Sequence, residues 1–523
     1  FPDHVGGRAY AYAYDGRTDL GFDHGAEYVG DLQNGIMKLA TDLLPADGIV
    51  NGAALRKGAP DEVMYLAGKR YCFDKSKAAF GIQGVPPDIG LGSLLAMLAV
   101  MAEMTLIEWA IDVVEPWNSP SWVTALDHVT VEDWLASKSW VDARVRDLMR
   151  ISVEALLSVE PSELSPFYLL FYTACNDGFM NEVNDDAGGP QQYWLRRGTS
   201  DLARRWAEPI AGKIRRGTRV ETIDHTGDVV RVTTSGGDTI RARKVLVATS
   251  PRTASRITFD PPPPPERATL LSQPMGRTIK CQLFYRSRWW WSSNGKKYDG
   301  YVGGADYPVL WVMDNSPPEA GQDAGDPGPF VLMTFTVGAQ ADKLGANPSD
   351  ALVTKTVTDA LVFLFDDPRA RDVEKIVIHR WLPSDPYVGG GPNTILSPGV
   401  LTSAAGRLLD APWNDKIFFA SAENARALDP HKKSRTWSLL EGSHLPEYDD
   451  ATGVLKPTSK PPYWSSYSDM RRSLGYMDGA IASGRYAAHA IAASLGNAAS
   501  AARTAAPRAA APVVAAPPAA PGP

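Results

Sequence analysis

The sequence predicts an α/β fold assembled from two interleaved parts, and three observations carry that expectation. Val5-Gly6-Gly7-Arg8 and the glycine-rich run Gly21-Phe22-Asp23-His24-Gly25-Ala26-Glu27-Tyr28-Val29-Gly30 flank a short hairpin-like span, Ala9 to Thr18. Glycines placed this way let backbone pass close to a flat ligand, because no Cβ stands in the way. Lys244-Val245-Leu246-Val247-Ala248-Thr249 is a continuous apolar run that suits a buried parallel strand. Helical and strand-like segments also alternate in character three times along the chain, so each part is discontinuous. At 523 residues there is ample length for two or more domains.

Taken in order, Asn34 to Leu44 has apolar residues at helical spacing and is expected to pack beside the first glycine turn. Arg56 to Tyr71 is mixed and leaves that part. Gly90 to Val114 is a long apolar helix pattern whose Met and Leu stripe reads as core. Thr130 and Asp133 form a capping-box-like start to another helix, and helices continue through Val141 to Val159 and Ser165 to Ala174. Strand character returns at Lys213 to Val220, Asp228 to Thr234 and Thr239 to Thr249. Thr278 to Tyr285, Val309 to Asp314 and Pro329 to Val337 alternate with a two-residue period and predict a sheet. Ser349 to Phe365 is helical, Asp415 to Ser421 a short buried strand, and Tyr476 to Leu495 an Ala-rich helix. Beyond that helix the Ala/Pro composition predicts disorder. Trp289-Trp290-Trp291 reads as packing at a sheet end.

Composition narrows the function. The net charge of -7 argues against nucleic acid or an anionic membrane as partner. Cys72, Cys175 and Cys281 lie far apart with no metal spacing, and none of the eight histidines forms an HxxxH or HExxH pair, so no protein-bound metal is expected. Reduced cysteines favour a cytoplasmic setting, with export left open. No apolar run is expected to span a membrane.

The glycine segment resembles the early part of flavin amine oxidases of the monoamine oxidase type, and four later stretches resemble the same family in order and spacing. The resemblance implies a Rossmann-like FAD/NAD(P)-binding domain interleaved with a substrate domain of mixed sheet plus helices. In that family a strand, Gly-rich turn and helix grip the dinucleotide pyrophosphate. This sequence has no GxGxxG opening a helix and does not begin with Met, so we expect it to be N-terminally incomplete, with the first βαβ turn missing. The expected FAD-binding domain is 1–50, 190–260 and 395–495, and the substrate domain 51–189 and 261–394. A long insertion, 426–474, and a disordered tail, 496–523, complete the division.

Residue by residue, the resemblance assigns Gly6, Gly7, Arg8, Gly25, Ala26 and Glu27 to the cofactor. A glycine turn in Leu195-Arg196-Arg197-Gly198-Thr199 leads to Val220, matching the residue whose backbone holds the adenine. In Met275-Gly276-Arg277-Thr278-Ile279-Lys280-Cys281, Lys280 matches a lysine that binds a water at flavin N5. A cation there steadies the negative charge that develops when reduced flavin hands an electron to oxygen. Trp381-Leu382-Pro383-Ser384-Asp385-Pro386-Tyr387, with the glycines after it, places Trp381 against the isoalloxazine ring. Animal monoamine oxidases carry a flavin-bonding cysteine where this chain has Gly391, so the resemblance implies non-covalent FAD. Glu423 in Ala422-Glu423-Asn424 matches an acidic strand-end residue. Gly475, Tyr476 and Met477 match the turn opening the last helix, whose N-terminal dipole favours an anionic reduced ring.

On the substrate side, Gln191 and Tyr476 match residues that line the cavity and orient the amine. The second tyrosine of the family's aromatic cage is Pro392 here, leaving the cage half built. The implied reaction is oxidation of an amine to an imine and then an aldehyde, with oxygen reduced to hydrogen peroxide and no protein base required. Predicted catalytic residues are Lys280, Trp381 and Tyr476; predicted partners are a small amine and molecular oxygen, with a homo-oligomer left open. An L-amino-acid oxidase, a desaturase-type flavin oxidoreductase and a cofactor-less binding protein stand as alternatives.

Overall fold

The computed structural model describes residues 4–30, 32–56, 58–79, 84–184, 188–302, 304, 307–425 and 474–505. The expected insertion, apart from Leu474, and the tail beyond 505 lie outside the described residues.

A seven-stranded mixed sheet carries Thr278–Tyr285 as its second strand from one edge. This strand pairs antiparallel with Phe330–Val337 on one side and with the edge strand Lys375–Trp381 on the other. Beyond Phe330–Val337 follow Trp311–Asp314, Tyr298–Val302, Asp61–Leu66 and Lys69–Asp74. The two-residue alternation sends Ile279, Cys281 and Leu283 into a core with Val353, Val357, Leu361 and Leu364 of helix Asp350–Phe365. Lys280 and Gln282 point the other way, where the hairpin formed by Ala11–Ala13 and Gly21–Asp23 lies: Gln282 Nε2 donates to Asp23 O at 3.0 Å. Covered on both faces, all eight residues of Thr278–Tyr285 are buried. Trp289 and Trp290 are buried in the same core, as packing at a sheet end requires.

The helical block forms as its periodicity predicts. Helix Leu91–Ala110 turns Met97, Val100, Met104 and Ile107 into a core shared with Ala143–Leu157 and Pro166–Ala174. Thr130, Asp142 and Ser165 each cap a helix by accepting a backbone N–H with the side chain. Leu91–Ala110 is long and apolar enough by length and composition to cross a membrane, although nearly half of its most apolar window is buried against the protein.

On the glycine-turn side, Val245–Val247 and Ile417–Phe419 pair in parallel across 170 residues of sequence, burying Val247, Ile417 and Phe419. Tyr193–Leu195 sits between Tyr28–Val29 and Ile49–Asn51. A four-stranded sheet orders Thr239–Ala242, Val230–Thr234, Val220–Asp224 and Thr258–Asp260.

Three boundaries differ from the sequence reading. The strand expected over 213–220 begins only at Val220, because Glu208–Lys213 is helical and Gly217 turns the chain at φ +63°. The stretch 239–249 divides into two strands of different sheets. At the division Lys244 Nζ is tied to Asp415 Oδ2 at 2.7 Å, which draws the chain toward its parallel partner. The last helix runs from Met477 to Ala505, past the expected onset of disorder, since alanine is the strongest helix former.

Candidate active site

The backbone of residues 24–26 is the meeting point of three elements. Trp381 Nε1, at the end of its edge strand, donates to His24 O at 2.6 Å. Lys280 Nζ donates to Gly25 O at 3.2 Å and to Glu27 Oε2 at 2.5 Å. Ala26 N donates to Arg8 O at 3.0 Å, closing the first glycine turn onto the second. Register explains the convergence: Thr278 pairs with Trp381, and Lys280 lies between His379 and Phe335. Gly25 is required by proximity, since a Cβ there would stand 1.7 Å from Arg8 O and 3.3 Å from Trp381 Cζ2.

Lys280 is among the largest fully buried side chains, and its ammonium lies 5.1 Å from the centre of the Phe335 ring. Glu27 is thus turned to the lysine. Beside them Asp23 is also buried, accepting from Thr199 N at 2.9 Å and from the Thr199 hydroxyl at 2.5 Å. Burial, and then the neighbouring Glu27 carboxylate, push the Asp23 carboxyl up. His24 and His379 stack at 5.7 Å, and burial drives them down to about 3 and about 4, so both are neutral near pH 7.

A second cluster forms around Arg8. Its guanidinium reaches Glu423 through Nη1 at 2.7 Å and Nη2 at 2.9 Å, and Nη1 also donates to Pro392 O at 2.5 Å and Asn393 Oδ1 at 3.2 Å. Burial raises the Glu423 carboxyl, but Arg8 and the hydrogen bonds outweigh it and hold it below the usual range. Gly6 and Gly7 turn the chain before Arg8 at φ +111° and +58°, and nothing lies within 4 Å of a Cβ built on Gly7. Gly475, at φ +86°, precedes the last helix where a Cβ would meet Asn393 Nδ2 at 2.6 Å and Tyr172 at 2.7 Å. Met477 packs against helix Asn34–Leu43, and Asp478 accepts from Ile36 N at 2.7 Å, joining the starts of the two helices.

Tyr476 belongs to a third cluster. Its ring lies beside that of Tyr172, with centroids 6.5 Å apart and planes 29° apart, and its hydroxyl donates to Glu182 Oε2 at 2.7 Å. Burial pushes both phenols well above their usual value. Glu182 and Gln191 line a chamber of about 180 Å³ whose remaining wall is largely apolar, with Met64, Met97, Met101 and Met149 prominent. Gln191, expected on the substrate side, lies on the wall of this chamber. Val220 does not join these clusters; it packs against the core of the parallel pair.

Residues that reading the sequence passed over are Asp23, Asn393, Tyr172 and Glu182. Only Glu182 had a local signal, an acidic residue in an otherwise apolar and amide-rich stretch, Phe179-Met180-Asn181-Glu182-Val183.

The donor set suits a flavin with its ribityl chain. Among the described residues Thr394 Oγ1 and His24 Nδ1 are buried with no hydrogen-bond partner, one beside Glu423 and the other beside Trp381. The glycine turn at Gly7 is open in front, and Gly391 brings no side chain to bond a ring. A polar, flat ligand meets these needs.

Comparison with known proteins agrees. A family described as flavin containing amine oxidoreductase matches residues 2–429. Amine oxidase [flavin-containing] of Oncorhynchus mykiss is 26% identical over 431 residues, covering 81% of this chain and 75% of the relative. Amine oxidase [flavin-containing] B of Homo sapiens is 25% identical over 426 residues, with 81% and 76% covered. The structure of cyclohexylamine oxidase from Brevibacterium oxydans IH-35A superposes with a TM-score of 0.73 at 25% identity, covering 94% of this chain and 92% of that one. Putrescine oxidase, at 20% identity and a TM-score of 0.71, shares the fold.

Proposed function

The chain belongs to the flavin containing amine oxidoreductase family, and we propose that it oxidises a small amine with an apolar body, using Trp381, Lys280 and Tyr476. The observation that carries this reading is the convergence of Trp381 and Lys280 on the backbone of residues 24–26. FAD, when bound, would supply the acceptor for the α C–H hydride and the route for those electrons to oxygen, giving hydrogen peroxide.

The protein's own residues divide the remaining work. Trp381, fixed by its bond to His24 O, presents a rigid aromatic face for the isoalloxazine. Lys280 places a buried cation where charge develops during the oxygen step, and Glu27 holds it there. Arg8, Glu423 and the turn at Gly6 and Gly7 serve the ribityl and phosphate region, with Gly25, Ala26, Gly475 and Met477 shaping the backbone around it. Val220 takes the adenine end. Tyr476 and Gln191 orient the amine, and the methionine-rich wall accepts its apolar body, since flexible thioethers adapt to irregular shapes. Pro392 leaves one side of the cage without an aromatic ring, which favours alkyl over aromatic amines. FAD is held non-covalently.

The test is anaerobic mixing of the FAD-loaded protein with a panel of amines. Bleaching of the bound flavin band by alkylamines is expected. A bound flavin that responds to no amine would refute the reading.

A further inference from the structure

Behind the chamber wall lies a second, smaller cavity of about 20 Å³, enough for roughly one water molecule. Its lining is polar, with Gln33, Asn176, Asp177 and Asn181, and Gln33 Oε1 is buried with no hydrogen-bond partner among the described residues. Among the described residues Glu182 alone borders both cavities. Its side chain is nearly inaccessible, the residue being 2% exposed, and its Oε2 accepts the Tyr476 hydroxyl.

The groups facing Glu182 are all neutral or acidic. They are Tyr476 and Tyr172, Asp177 on the small-cavity side, Glu62 elsewhere on the chamber wall, and Glu108 beneath the helix. Glu108 is itself occupied by the Thr173 hydroxyl at 2.5 Å and Phe179 N at 2.8 Å. No Lys, Arg or His lines either cavity among the described residues. A buried carboxyl with no counter-cation is costly unless a cation arrives with the ligand.

We propose that Glu182 docks the ammonium of the incoming amine and accepts its proton, with the small polar cavity as the exit. This inference rests on the amine-oxidising reading above. In the proton balance, the Glu182 carboxyl first gives its proton to solvent through the small cavity. The carboxylate then takes one N–H proton from RNH3+, leaving neutral RNH2 and the carboxylic acid. The net change is RNH3+ to RNH2 plus a solvent proton, and no electrons move. The amine is thereby left with the lone pair that C–H oxidation requires. Burial, with Asp177 and Glu108 adding to it and Tyr476 opposing, raises the Glu182 carboxyl to about 8, a range suited to proton exchange with an ammonium near neutral pH.

The probe is 2-methylpentan-2-amine, an alkylamine which has no α-hydrogen and cannot be oxidised, compared with the uncharged isostere 2-methylpentan-2-ol. Binding to the FAD-loaded protein is read from the perturbed flavin absorbance as a function of pH. In the wild type the amine should bind about tenfold or more tighter than the alcohol. Its affinity should rise by about tenfold per pH unit and level off near pH 8. In Glu182→Gln the preference should collapse and the break should move up to the amine's own pKa. Glu182→Asp, which keeps the charge, retains the preference and carries the test if the glutamine variant does not hold flavin. Gln33→Leu should slow dye-detected proton release while leaving the equilibrium affinity alone. An unchanged preference and an unchanged break in Glu182→Gln, or a lost preference in Glu182→Asp, would overturn the proposal. If oxidisable amines bleach the wild-type flavin, that failure belongs to Glu182 alone; if none does, the reading of the site as an amine oxidase fails with it.

Discussion

Lys280 Nζ lies 2.5 Å from Glu27 Oε2, and the two side chains are only 1% and 4% exposed. The ion pair joins the strand Thr278–Tyr285 of the seven-stranded sheet to the second glycine-rich run across 253 residues. Removing one partner leaves the other as a buried, uncompensated charge.

Lys280→Met should therefore destabilise the protein by about 3–5 kcal/mol, and Lys280→Met/Glu27→Gln by clearly less. Chemical denaturation of both variants checks this. Where flavin is retained, stopped-flow reoxidation should be slow in each variant, because the cation is gone from both. Oxygen kinetics equal to the wild type would remove Lys280 from the oxygen step.

The Arg8–Glu423 fork gives a second prediction. Glu423 is held below its ordinary value, so its stabilisation is fully present above that ordinary value and is lost as pH falls through the lower, folded one. Glu423→Gln, which weakens two charge-assisted contacts, should cost about 2–3 kcal/mol and release FAD more readily. Flavin retained after gel filtration, measured against pH, should fall in acid for the wild type and be low throughout for the variant.

The buried histidines act in an overlapping pH window, where again the unfolded chain takes up a proton before the folded one does. Unfolded His24 binds a proton below its ordinary 6.5, while the folded ring resists until about 3. Stability is complete above that ordinary value and declines as pH falls toward 3. The slope attributable to this residue reaches about 1.4 kcal/mol per pH unit. His24→Leu should flatten the denaturation midpoint against pH across this window; an unaltered slope would mean the ring is not held neutral.

At Gly475, alanine would need the strained φ of +86° and would press on Asn393 and Tyr172. Gly475→Ala should cost about 1–3 kcal/mol and raise KM for amines through displaced tyrosines. A thermal melt and a steady-state titration measure the two effects separately.

Much of this protein is legible from periodicity. The two-residue alternation of Thr278 to Tyr285 and the capping-box start at Thr130 are local signals, and the elements form where they predict. Boundaries slipped where a local signal was ambiguous, as at Gly217, or where a remote partner decided, as Asp415 does for Lys244. The helix through Ala505 escaped because low-complexity alanine reads equally as tail and as helix former.

The sequence by itself determined the α/β class, the family and the main site candidates Lys280, Trp381, Glu423 and Tyr476, because motif spacing and hydrophobic period are properties of neighbouring residues. Only the tertiary structure decided what those residues touch. Glu27 meets Lys280, Arg8 meets Glu423, and Tyr476 meets Glu182, across 253, 415 and 294 residues respectively. A charge states its sign in the sequence, but its partner and its protonation follow from burial, and burial is set by which distant strands and helices close over it.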